Sequence, residues 1–157
     1  MKLSAQEEYG LRCLITLAAR GPGASITIPE IGEAEGLSNS HVAKLMGILR
    51  RANVVTSLRG QAGGYQLARD PHEIRLGPLL AELGGRLYSD GHCGHYSRGS
   101  SDCVHDWECS IRNLWETIQA AVDSVLAPMT LADLLPSPGA QPVEMYDRVP
   151  AGTGGGG

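Results

Sequence analysis

From Leu11 the chain places apolar side chains three or four residues apart, at Leu11, Leu14, Ile15 and Ala18, the interval that lines one face of an α-helix. Just upstream, Ser4-Ala5-Gln6-Glu7 is a capping box, in which a serine hydroxyl and a glutamate three residues on satisfy each other's backbone N–H groups. A helix is therefore expected from Ala5, ended by Gly21-Pro22-Gly23. Glu8 precedes Leu11 and Ile15 by three and seven residues and so falls on the apolar stripe. A carboxylate on a buried face must be paired or ligated. An acid in the first turn also has the plainer role of complementing the helix dipole. Cys13, inside the same helix, reads as a packed core thiol.

Thr27-Ile28-Pro29-Glu30 is a second capping box, opening a short helix that should end at Gly36. Ser38 then caps a third helix with Val42, Leu45, Leu49 and Ala52 on its buried face. Two short helices joined by Gly-Leu-Ser have the spacing of a helix-turn-helix, whose second helix enters the major groove of DNA. Ser38, Ser40 and His41 lie at the start of that helix, where short polar side chains can reach base edges, and Lys44 and Arg51 are placed for phosphates. Val54–Leu58, a turn Arg59-Gly60-Gln61-Ala62-Gly63-Gly64, and Tyr65–Ala68 then read as strand, glycine-rich turn and strand. Hung after a recognition helix, the hairpin would be a wing, with Arg59 at its tip free to enter a minor groove.

Charge supports this reading once it is divided by position. The chain carries a formal net charge of −4. Residues 1–70 hold eight Lys/Arg and six Asp/Glu, against five and eleven in residues 71–157. Ser38–Arg69 contains five basic residues (Lys44, Arg50, Arg51, Arg59, Arg69) and no acid. A single-sign basic stretch in an acidic protein is the footprint of a polyanionic partner.

Beyond the hairpin, Cys93, Cys103 and Cys109 fall within seventeen residues, in a segment that also holds His92, His95 and His105. Thiols gathered in a Gly/Ser/His-rich loop are better suited to metal or disulfide chemistry than to a core. In a reducing cytoplasm, the compartment expected for a chain with no signal peptide or apolar span, metal is the commoner use. Three cysteines plus one histidine make a tetrahedral structural zinc site, whereas an iron–sulfur cluster takes four protein ligands. Spacing alone leaves both open. A thiol oxidoreductase or a cluster-assembly factor fits less well, because there is no Cys-x-x-Cys pair and the basic half would go unexplained.

Ile111, Leu114, Trp115, Ile118, Ala121, Val122, Val125 and Leu126 sustain helical spacing over four turns, ending near Pro128. A small winged helix cannot bury so long a stripe alone. Pairing with a second copy is its simplest use, and two-fold symmetry then predicts a palindromic DNA site; packing back on its own domain is the other outcome.

Arg59-Gly60-x-x-Gly63-Gly64-Tyr65-x-Leu67-Ala68 resembles the wing of the Rrf-two (Rrf2) family of bacterial winged-helix regulators. The opening Met1-Lys2-Leu3-Ser4 and the three-cysteine loop are similar to that family too, so the resemblance covers about residues 1–135. It implies a homodimeric regulator, a repressor, that binds palindromic promoter DNA. It also implies an iron–sulfur cluster that senses redox state, nitric oxide or iron and cluster supply. Cys93, Cys103 and Cys109 are the implied ligands. In similar proteins the last two cysteines are also five residues apart, while the nine residues between Cys93 and Cys103 exceed the family's commonest gap. One branch of the family places a histidine three residues after the last cysteine; here that residue is Arg112, which cannot ligate. Another branch uses a carboxylate near the N-terminus of the partner subunit, for which Glu8 is the candidate, with His92, His95 and His105 as competitors. The resemblance favours iron–sulfur over zinc; three cysteines plus one oxygen can hold either [4Fe–4S] or [2Fe–2S], the former slightly favoured.

The expected layout is mainly α-helical with a small β-wing: a winged helix-turn-helix domain over 1–87, a cysteine-rich cluster-binding loop over 88–110, a dimerisation helix and short C-terminal helix over 111–135, and a disordered Gly/Pro-rich tail over 136–157. No catalytic residues and no membrane partner are expected.

Overall fold

In a computed structural model of the chain, the described residues are 4–60, 63–88 and 109–136. Both capping boxes form. Ser4 Oγ accepts from Glu7 N at 3.2 Å while Glu7 Oε2 accepts from Ser4 N at 2.8 Å, and helix α1 runs Ala5–Ala18. Thr27 and Glu30 do the same for α2, Ile28–Glu35, which ends at Gly36 in the left-handed conformation. Each such cap stabilises its helix by about 1 kcal/mol. Ser38 Oγ accepts from His41 N at 3.3 Å and opens α3, Asn39–Arg51.

Strands β1, Val55–Leu58, and β2, Gly64–Leu67, pair antiparallel with Val55 opposite Leu67 and Leu58 opposite Gly64. Ile26, in the segment before α2, adds a single bridge to the hairpin. Its N–H donates to Tyr65 O at 2.9 Å and its carbonyl accepts from Tyr65 N at 2.8 Å. The glycines of the turn follow from this geometry. Gly60 has φ +108°, which side chains disfavour, and a Cβ on Gly64 would lie 2.7 Å from the Ile26 carbonyl oxygen.

Two further helices follow the wing. Helix α4, Leu76–Gly84, buries Leu76, Leu79 and Leu83, and α5 spans Ser110–Leu126. A short 3-10 turn, Leu131–Leu134, folds back to the start of α4: Leu131 N donates to Ile74 O at 2.8 Å, Leu76 N donates to Met129 O at 3.0 Å, and Leu131 is fully buried. The segment after α5 therefore contributes to the core it follows, which also holds Leu14, Leu17, Ile31, Val42, Leu45, Leu49 and Ile74.

The core-facing stripe of α1 differs from the expected one. It runs Gly10, Cys13, Leu14, Leu17 and Ala18, while Leu11 and Ile15 are half-buried and Glu8 is exposed. The helix is turned because Gly10 lets α4 come close: a Cβ there would lie 2.6 Å from Leu83 Cδ2. Glu8 is thus not a carboxylate on a buried face, and burial gives it no reason to be ligated.

Candidate nucleic-acid interface and sensor segment

Ser40, Lys44, Gly47 and Arg51 share one outward stripe of α3, because steps of four, three and four residues return to the same side of a helix. Ser40, Lys44 and Arg51 are exposed, as are Ser38 at the N-cap, Arg50 in the last turn and Arg59 after β1. The opposite face carries the buried Val42, Leu45, Met46 and Leu49 and fixes which side of α3 is presented.

The cations divide by location. Among the described residues, Arg12 pairs with Glu35 at 2.7 Å, Arg20 with Glu30 at 3.9 Å and Arg86 with Asp123 at 2.5 Å. None of these pairs involves Lys44, Arg50, Arg51, Arg59 or Arg69. Side-chain cations left unpaired along an acid-free stretch are suited to a phosphate backbone. Arg50, exposed in the last turn of α3, adds to this surface, and its only sequence signal is the charge of the whole stretch; Arg69 instead lines a cleft beside Glu73 and Glu82. The last-turn arginines of α3 also suit the negative end of its dipole.

His41 is less free than its position suggests. Its ring packs edge-on against Tyr9 of α1, with centroids 5.5 Å apart and planes at 78°. Arg12 lies over the same tyrosine, 5.6 Å from its centroid, and its guanidinium reaches Glu35 of α2. Thr16 Oγ1 also donates to Glu35. The Thr16 bond, followed by Arg12, holds the Glu35 carboxyl below its ordinary range despite desolvation. Together these contacts tie α1, α2 and α3 into one rigid unit behind the exposed stripe.

Of the three clustered cysteines, Cys109 is described. It is half-buried at the N-cap of α5, and its Sγ accepts from Arg112 N at 3.4 Å. A backbone N–H directed at sulfur is the kind of outer contact a metal-bound thiolate takes. Cys93, Cys103, His92, His95 and His105 lie outside the described residues. Among the described residues, no group of three His, Cys, Asp or Glu side chains converges as a metal site would need. Glu8, exposed in the first turn of α1, makes no ion pair among the described residues. Cys13 is fully buried, and burial pushes its thiol up to about 11.

On α5, Ile111, Leu114 and Val125 are 65, 54 and 60 % exposed. Its one buried residue is polar: Gln119 accepts from Tyr88 N at 2.9 Å and donates to Asp123 at 2.9 Å. No helix among the described residues is long and apolar enough to cross a membrane.

A family described as Rrf2, iron-dependent transcriptional regulator, matches residues 3–137. The chain is 28 % identical over 135 residues to the transcriptional regulator IscR of Vibrio campbellii, covering 86 % of this chain and 77 % of that one. Among solved structures it resembles CymR of B. subtilis, the global cysteine regulator, with a TM-score of 0.66 and 31 % identity over 85 % of this chain and 95 % of that chain. It resembles IscR of T. potens equally, with a TM-score of 0.65 and 30 % identity over 85 % of each chain. Helix-turn-helix, wing and long C-terminal helix are thus those of a DNA-binding transcriptional regulator rather than an enzyme, and the chain belongs to the Rrf2 family.

Proposed function

We propose that the protein is a homodimeric regulator, a repressor, of palindromic promoter DNA whose affinity is set by an iron–sulfur cluster in the segment between α4 and α5. The observation that carries the DNA-binding half is the set of unpaired cations on α3 and the wing, beside the paired Arg12, Arg20 and Arg86 elsewhere. In this reading Ser38, Ser40 and His41 face base edges, with His41 oriented by Tyr9. Lys44 and Arg51 hold phosphates, and Arg59 enters the minor groove.

Cys93, Cys103 and Cys109 are the proposed cluster ligands, and the donor set fits: soft thiolates in one short segment, one of them already receiving an N–H at a helix start. The fourth position falls to Glu8 of the partner subunit, which is exposed and unpaired and so can be offered across an interface. A bound cluster would supply redox and nitrosylation chemistry, [4Fe–4S] being preferred to [2Fe–2S]. The chain's own part is mechanical. Cys109 opens α5, and α5 meets the winged helix through Gln119 and Asp123, so a change in the segment shifts α5 against the DNA-binding half.

Zinc is the competing occupant, since the same segment holds three histidines that would complete a closed tetrahedral site. Protein purified without oxygen, with its visible spectrum, iron, sulfide and zinc measured on one sample, decides between them. A broad band near roughly 400–420 nm with iron and sulfide supports the cluster. A colourless protein with about one zinc per chain refutes it and leaves the DNA-binding half standing.

A further inference from the structure

The wing carries a side chain for which neither the core nor the charge pattern accounts. Leu58, the last residue of β1, is 38 % exposed, and it is the one exposed large apolar residue of the winged helix among the described residues; the other three are on α5. Single exposed leucines are common on protein surfaces. This one is exposed by construction. It lies opposite Gly64 in the hairpin register, so no cross-strand side chain can cover it. A side chain cannot be restored there either, because a Cβ on Gly64 would meet the Ile26 carbonyl. Val55 points into the core, and strand alternation puts Leu58 with Thr56 on the opposite, outer face. The next residue is Arg59, in a stretch without acids.

An apolar side chain beside an arginine, at the tip of an acid-free hairpin, matches the chemistry of a DNA minor groove. The cation is drawn to the negative potential of a narrow groove. Apolar residues pack against its sugar walls or press on base steps. We propose that Leu58 is a specificity-determining contact that selects A·T pairs where the wing meets DNA. The selection comes from the groove floor. A·T pairs present only acceptors at its edges, whereas guanine adds an exocyclic amino group. A leucine pressed over that amino group would strip a donor of water without returning a hydrogen bond.

The inference rests on the wing lying in a minor groove. Duplexes are first selected from a random pool with the full-length protein as purified, holo form. The base pairs under the wing are then changed from A·T to G·C, and separately to inosine·C, which lacks the amino group. For the wild type, G·C should weaken binding by about fivefold and inosine·C should restore it. Leu58→Ala should bind all three alike, with an unchanged salt dependence because no phosphate contact is lost. Leu58→Met, which keeps the apolar contact, should discriminate as the wild type does. Wild-type protein indifferent to the amino group, or Leu58→Ala discriminating as well as wild type, would overturn the proposal. If Arg59→Ala also left affinity and salt dependence untouched, the wing would not lie in the groove, and the failure would belong to that reading.

Discussion

The backbone N–H of Tyr88 donates to the side-chain oxygen of Gln119 at 2.9 Å, and this bond fixes where the chain leaves the winged helix for the cysteine segment. Gln119 is only 7 % exposed; its amide group donates to Asp123, and Asp123 accepts from Arg86 at 2.5 Å. Both ends of the segment are therefore attached to α5, one at Gln119 and one at Cys109, about 15 Å apart along the helix axis.

Gln119→Leu should lower stability by roughly 1–3 kcal/mol, because it removes the acceptor of a buried N–H while nearly conserving volume. Glu116→Gln, on an exposed position of the same helix, should stay within about 0.5 kcal/mol of wild type. Urea unfolding of the two variants measures the difference, and equal midpoints would show that the Gln119 bond adds nothing.

The elements most legible in the sequence were those specified locally. Ser4/Glu7 and Thr27/Glu30 announced α1 and α2, and the glycine-rich turn announced the wing, because caps and turns are satisfied within a few residues. Tertiary effects were not legible. The rotation of α1, which exposes Glu8, depends on Gly10 meeting Leu83 about seventy residues away. Helix α4 carries little local signal: its N-cap, Arg75, makes no side-chain cap bond, and its leucines are spaced around a Gly-Pro pair. The bridge of Ile26 to Tyr65 is a single residue and has no alternating pattern to betray it. Of the candidate site, the residues proposed to face DNA are legible from charge and helical spacing, whereas Cys93 and Cys103 lie outside the described residues.

Gly64→Ala tests the Ile26 bridge. The added methyl carbon would lie 2.7 Å from Ile26 O and 3.0 Å from Ile26 C, both backbone atoms that cannot swing aside. The expected cost is about 1–3 kcal/mol, with loss of amide-exchange protection at Ile26 and Tyr65. Retained protection at both amides would contradict the close approach.

Cys13 gives stability a pH dependence in the alkaline range. Its thiol is raised from 9.0 to about 11 by burial, so the unfolded chain ionises first as pH rises. The contribution is fully present below pH 9.0 and is lost as pH rises through about 11. Cys13→Ala should lower stability near neutrality through the cavity it leaves, yet flatten the alkaline decline relative to wild type. Parallel declines in the two proteins would argue against a raised thiol. Cys13 should also resist alkylation in the folded state at pH 8.

The unpaired cations make a prediction about salt. Lys44→Ala and Arg51→Ala should each weaken binding to all duplexes and reduce the slope of log affinity against log salt by about one. Arg12→Ala should leave that slope unchanged, because Arg12 is engaged with Glu35 and lies over Tyr9. Fluorescence anisotropy across a salt series separates the two behaviours. An unchanged slope for both Lys44→Ala and Arg51→Ala would remove them from the phosphate contacts.

The exposed stripe of α5 bears on assembly. Ile111, Leu114, Ile118, Ala121 and Val125 are spaced three, four, three and four residues apart, the alternation that lets two helices keep one seam in contact. The stripe spans about 21 Å. Ile111, Leu114 and Val125 are exposed in the single chain, so changing one of them removes no core contact. Leu114→Asp, one turn in from the N-terminal end of the seam, should therefore leave far-ultraviolet circular dichroism unchanged while converting the proposed dimer to monomer at micromolar concentration. A monomer presents one recognition helix instead of two, so specific DNA affinity should fall by at least about a hundredfold, toward the non-specific level. Sedimentation velocity on wild type and variant is decisive: a wild-type monomer would refute the proposed dimer, and a Leu114→Asp variant that remained dimeric would place its interface elsewhere.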